Sequence, residues 1–101
     1  MIKYLNDNDN FYEEIKQKVV IVDFYASWCG PCRMLNPILE EVDKELDDIK
    51  ILKVDVDEIR DISKKFGILS IPTLIVFKDG IVVEKKVGFS SKEDILKLVD
   101  K

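Results

Sequence analysis

Both cysteines of the chain, Cys29 and Cys32, fall within SWCGPCR (residues 27–33), two residues apart and beside the only tryptophan, Trp28. Thiols at this spacing admit three chemistries: a structural disulfide, half of a metal site, or exchange with another disulfide. A staple is disfavoured by loop length. Closing four residues restricts the unfolded chain by only about 2 kcal/mol, against about 3 for fifteen, and a domain of this size buries a core without covalent help. Metal is disfavoured by ligand count. Structural zinc takes four ligands, usually cysteine or histidine, and the chain has two cysteines and no histidine. Carboxylates or a second chain would have to complete such a site, although the pair alone suits copper(I) transfer.

Exchange requires a place that favours a thiolate, because the thiolate is the nucleophile. The flanking residues supply one. Val19–Tyr25, VVIVDFY, is an apolar run broken only by Asp23, which fits a strand buried on both faces. Beyond the cysteines, Met34, Leu35, Ile38, Leu39, Val42 and Leu46 recur at helical spacing, with Pro37 inside the helix. The pair therefore stands where a strand hands over to a helix. Unpaired N–H groups and the helix dipole at that point favour an anion on Cys29. Cys32 follows about one turn later on nearly the same face, and Gly30 and Pro31 keep the turn between them tight. A CxxC near a βαβ pattern is a redox signature.

The remaining elements can be read with the same rules. Ile2–Leu5 is expected to form a short strand, and Asn8 or Asp9 to cap a first helix bearing Phe11, Tyr12 and Ile15. Ile49–Val54 is a further strand, and Arg60–Phe66 a short helix ended by Gly67. Thr73–Lys78 and IVVEKKV (81–87) flank Asp79-Gly80, a strong hairpin signal. Ser90 with Glu93 is expected to box the start of a last helix carrying Ile95, Leu96, Leu98 and Val99. The order β-α-β-α-β-α-β-β-α implies an α/β fold with a mixed central sheet and helices on both faces.

Bulk properties narrow the functional classes. One domain spanning 1–101 is expected from the length, and 47% hydrophobic with 36% charged residues marks a globular chain. The net charge of −4 is interspersed, without the basic patch of a nucleic-acid binder. MIKYLNDNDN lacks the pattern of a secretory signal, and VVIVDFYA is too short to cross a bilayer. Cytoplasm is therefore the expected location, where a thiol pair is more often catalytic or metal-binding than structural.

At this point the chain resembles the thioredoxin family along essentially its whole length. VDFYASWCGPCRMLNPILEEV resembles that family's second strand, active site and kinked helix, FGILSIPTLIVFKDG its cis-proline segment, and KKVGF the end of its last strand. The resemblance implies a thioredoxin fold, a central mixed five-stranded sheet flanked by four helices. It further implies that Cys29 is the exposed attacking thiol and Cys32 the buried resolving thiol. Asp23 matches the family's buried aspartate, Lys53 the lysine beside it, and Pro72 the cis-proline facing the disulfide, preceded by Ile71. Gly88 matches a glycine flanking the substrate groove. Trp28, Gly30, Pro31, Ile71, Pro72 and Gly88 are thus the expected client-binding surface.

Asp23 would accept the Cys32 proton, supported by Lys53, with burial raising its pKa. The inner Gly-Pro resembles the reducing members, and with no histidine in the chain the direction implied is reduction of partner disulfides. No bound cofactor is implied. The implied partners are disulfide-containing client proteins and a thioredoxin reductase, drawing on NADPH through flavin or on ferredoxin, with neither nucleic acid nor membrane involved; a monomer is expected. Tyr25, Arg33 and Leu69 depart from the common family residues, and Leu69 makes the rim of the groove more apolar. The alternative is a docking or subunit protein of the same fold with secondary redox activity.

Overall fold

The strands sort their side chains onto two faces with the period of two that a pleated backbone imposes. In the computed structural model, which describes residues 1–100, Val20, Val22 and Phe24 of one central strand point into one apolar cluster, while Ile21 points into another. Lys101, the last residue of the expected single domain, lies outside the described residues.

The chain runs β1 (Ile2–Tyr4), α1 (Phe11–Glu14), β2 (Val19–Tyr25), α2 (Gly30–Glu45), β3 (Lys50–Asp55), α3 (Arg60–Lys65), β4 (Thr73–Lys78), β5 (Ile81–Val87) and α4 (Lys92–Asp100). The five strands form one sheet in the order β1-β3-β2-β4-β5. β1 and β2 each pair parallel with β3, whereas β4 runs antiparallel to both β2 and β5. This is the mixed five-stranded sheet with four helices that the element order implied. No helix among the described residues is long and apolar enough to cross a membrane.

One face is covered by α1, α3 and their flanks, where Phe11, Ile15, Ile59, Ile62 and Phe66 pack on Val22, Phe24, Leu52, Val54 and Phe77. The other is covered by α2 and α4 through Leu35, Leu39, Val42 and Ile95 over Ile21, Ile51, Leu74 and Val76. The β4–β5 connection is a type I′ turn, with Asp79 at φ 52° and Gly80 at φ 80°.

Two caps differ from the sequence expectation. Asn10, not Asn8 or Asp9, caps α1, its Oδ1 accepting from Tyr12 N and Glu13 N. Asp9 is engaged elsewhere, accepting from Asn6 N at 2.9 Å in a local turn. At α4, Ser91 Oγ accepts from Asp94 N at 3.2 Å, while Ser90 is buried with its hydroxyl unpartnered among the described residues. The box is shifted by one residue, and Ile95 closes the first turn by donating its N–H to Ser91 O.

Candidate active site

β2 ends at Tyr25 and α2 begins at Gly30, so the backbone must turn onto the helix axis within four residues. Cys29 is the N-cap, extended at φ −86°, ψ 114°. Its Sγ takes the place of a capping oxygen, accepting the Cys32 N–H at 3.2 Å. Cys29 N donates to Ala26 O, and Arg33 N to Cys29 O, each at 3.2 Å, so the cap is held on both sides. Cys29 and Cys32 form a disulfide with their Cα atoms 5.3 Å apart. A sulfur receiving an N–H at a helix N-terminus is stabilised as a thiolate when the bond is reduced.

Exposure of the pair differs from what the resemblance implied. Both cysteines are buried in the disulfide-bonded form, Cys29 at 4% exposed and Cys32 at 2%. The cysteines pack against Ala26 and Ile71, with Ile71 O 4.0 Å from Cys29 Sγ.

The expected client surface gathers around that sulfur. Trp28 is 68% exposed, and its Nε1 donates to Asp57 Oδ2 at 2.8 Å. Gly30 and Pro31 are the first residues of α2, and Ile71-Pro72 is a cis peptide. Gly88, at φ 93°, donates its N–H to Pro72 O at 2.8 Å, which ties the end of β5 to the proline. Leu69 projects outward with 97% of its surface exposed. A cleft of about 420 Å³ lined by residues 5–12, Ile59, Asp61 and Ile62 contains no cysteine. The disulfide lies instead beneath the exposed Trp28, outside that cleft.

Beneath α2, Asp23 and Lys53 are register partners on β2 and β3. They share the face of Ile21 and Ile51, which lies under α2. Asp23 is fully buried and Lys53 only 4% exposed. Burial pushes the Asp23 carboxyl up from 3.8 to about 6, against a lowering by the Lys53 charge and by a long, weak hydrogen bond from Lys53, whose Nζ stands 3.4 Å from Oδ2. Neither carboxylate oxygen has any other hydrogen-bond partner among the described residues. The Lys53 ammonium instead donates to Asn36 Oδ1 and lies 4.8 Å from the Tyr25 ring centre and 5.3 Å from that of Tyr4. Asn36 is four residues after Cys32 on α2, so the two lie along one stripe of the helix.

Every candidate from the sequence is thus placed in one of two adjoining groups: the sulfur surface (Trp28, Cys29, Gly30, Pro31, Cys32, Ile71, Pro72, Gly88) and the buried ion pair (Asp23, Lys53). Asn36, Tyr4 and Asp57 were not legible as members. The i+4 relation to Cys32 was the one signal that pointed to Asn36; nothing distinguished Asp57 within an acidic stretch.

The thioredoxin family model matches residues 2–101. The chain is 52% identical to the thioredoxin of Bacillus subtilis (strain 168) over 95 residues, covering 93% of this chain and 91% of that protein. It is 50% identical to the thioredoxin of Chlamydia muridarum over 93 residues, covering 92% and 91%. Among solved structures it matches oxidised mitochondrial thioredoxin 3 of Saccharomyces cerevisiae with a TM-score of 0.89 at 34% identity, over 98% of this chain and 93% of that one. It matches Plasmodium falciparum thioredoxin with a TM-score of 0.88 at 35% identity, over 97% and 96%.

Proposed function

The chain belongs to the thioredoxin family and is a protein-disulfide reductase; from that premise we propose how its own residues divide the work. The Cys29 thiolate attacks one sulfur of a client disulfide. The client S–S bond breaks, its second sulfur leaves as a thiolate, and a mixed disulfide joins the client to Cys29. Asp23 takes the proton from Cys32. The Cys32 thiolate then attacks Cys29 Sγ, the mixed disulfide breaks, and the client leaves with both sulfurs reduced. Two electrons have passed to the client, and the Cys29–Cys32 disulfide is the state described above. The observation that carries this assignment is the Cys32 N–H donated to Cys29 Sγ at the helix cap, which favours charge on Cys29 rather than on Cys32.

Lys53 supports Asp23 by its charge, while Trp28, Gly30, Pro31, Ile71, Pro72 and Gly88 form the surface on which an extended client segment lies, with main-chain pairing at Ile71. The redox group is the cysteine pair itself. Family members work with a reductase and disulfide-bearing clients; here the reductase is of the flavin type fed by NADPH or of the ferredoxin type, and the protein acts as a cytoplasmic monomer of one domain.

Insulin reduction by dithiothreitol tests the assignment. Wild type accelerates it and Cys29→Ser does not, whereas Cys32→Ser accumulates a disulfide-linked client adduct. Equal acceleration by Cys29→Ser removes the redox role, and capture of clients without a covalent adduct favours a docking protein.

A further inference from the structure

A buried ammonium next to a buried carboxylate ordinarily gives it a close hydrogen bond, because charge-assisted bonds are roughly twice as strong as neutral ones. Lys53 does not. Its Nζ donates to the neutral carboxamide of Asn36, while Asp23 Oδ2 stays at 3.4 Å and both Asp23 oxygens lack any other hydrogen-bond partner among the described residues. The ring faces of Tyr25 and Tyr4 flank the ammonium and offer cation–π attraction but no lone pair.

We propose that Asn36 is a positioning residue: its carboxamide oxygen draws the Lys53 ammonium toward α2, so that the Asp23 lone pairs stay open for the proton that Cys32 releases. This rests on Asp23 acting as the proton acceptor.

The arrangement follows from placement. Asp23 and Lys53 face α2 from neighbouring strands, and Asn36 stands one helical turn beyond Cys32. Asn36 is half-buried on the wall of a cleft of about 300 Å³, which it shares with Ile2, Tyr4, Leu39, Glu40 and Lys53. The ammonium therefore has acceptors on two sides, Asp23 inward and Asn36 outward. The titratable groups facing the Asp23–Lys53 pair are Tyr25 on β2 and Tyr4 on β1, whose rings flank the Lys53 ammonium, and Glu40 on α2, which shares a cleft wall with Lys53; the β4 neighbour of Asp23 is the apolar Leu74. Lys53 is the one cation of this group, so where its donors point decides how strongly Asp23 is held as a carboxylate. A carboxylate that accepts a close bond from an ammonium is a weak base. One that the ammonium holds only at long range keeps its proton affinity closer to neutral pH, which suits a group that must take a thiol proton and return it.

The test reads the Asp23 carboxyl directly, by carbon NMR titration of the full chain in its reduced and oxidised forms. Asn36→Leu keeps the approximate size and removes the acceptor, and the freed Lys53 donor turns to Asp23. The Asp23 midpoint is expected to fall by roughly one pH unit, and the pH profile of mixed-disulfide resolution to move with it. Asn36→Ala is the second variant, with the same expected direction. In a Lys53→Met background, Asn36→Leu is expected to leave the midpoint where Lys53→Met alone puts it. An unchanged or raised midpoint in the single variants overturns the proposal. So does a shift that persists without Lys53, since it would reflect altered hydration of Asp23. The base role of Asp23 is judged separately: resolution at the wild-type rate in Asp23→Asn removes that role and leaves the titration standing.

Discussion

Replacing Asp23 with asparagine is expected to stabilise the oxidised protein in a manner that depends on pH. In the folded state the carboxyl titrates at about 6 rather than 3.8, because burial penalises its charged form more than Lys53 relieves it. The folded chain therefore binds more protons than the unfolded chain between these values, and the contribution of Asp23 to stability falls as pH rises through that window. Below it, the protonated acid and asparagine are near equivalents, both neutral and both beside the same Lys53. Above it, wild type carries a buried carboxylate held only by the nearby Lys53. The interval from 3.8 to about 6 corresponds to about 3 kcal/mol at 1.36 kcal/mol per tenfold change in acidity. Urea denaturation with the disulfide intact should thus show little difference between Asp23→Asn and wild type at pH 3.5. The gap should open across the window and level off near 3 kcal/mol in favour of the variant by pH 7.5. Groups elsewhere titrate equally in both proteins and cancel. A gap of the same size at both ends would refute the reasoning, because asparagine would then be acting through packing and not through a missing charge.

Lys53→Met removes the attraction that lowers the Asp23 carboxyl, so that midpoint is expected to rise above about 6 and the pH profile of resolution to shift to higher pH, as stopped-flow thiol kinetics would read. Glu14→Ala is expected to cost about 3 kcal/mol by urea denaturation at pH 7, because buried Lys50 loses the carboxylate partner it shares with Lys3. Hydrogen bonds from Lys3 and Lys50 lower the Glu14 carboxyl, so this contribution is present above pH 4.5 and lost as pH falls through the lowered value. Leu69→Lys is expected to raise KM roughly tenfold for disulfide peptides with apolar flanks and leave kcat unchanged, since Leu69 is 97% exposed two residues before Ile71.

The layout of the sheet was legible because β2, β4 and β5 are bounded by strong signals: an apolar run with one charge, a proline before Thr73, and Asp79-Gly80. The bounds read from sequence for these three strands are those observed. The caps were harder because several side chains compete locally. In NDNDN each Asx residue can bond a nearby N–H, and Asp9 closing on Asn6 leaves Asn10 to start α1. At Ser90-Ser91 both serines precede an acid by three residues, and the structure selects the second. At the site, cysteine spacing and an isolated Asp in an apolar strand carry their own chemistry. Asn36, Tyr4 and Asp57 acquire theirs only by register and helix phase, which bring β1, β3 and α2 together around Lys53 and place the loop after β3 under Trp28.

The two faces of the sheet divide the labour. Under α1 and α3, Phe11, Phe66 and Phe77 stack ring to ring at 5.5–6.0 Å with no charge among them. Under α2, the row Tyr4, Lys53, Asp23 and Leu74 crosses four strands in register and places two buried charges where Ile21 and Ile51 show that apolar packing fits. An uncharged residue at 23 is expected to give a more stable protein at neutral pH, and in the proposed mechanism the same change removes the base for Cys32. In the proposed mechanism, stability and turnover are therefore opposed on this face. The apolar face, by packing well, offsets the cost of holding a carboxylate about two pH units above its ordinary value. In the proposed mechanism a tighter Asp23–Lys53 bond would stabilise the fold and, by the same interaction, weaken the base.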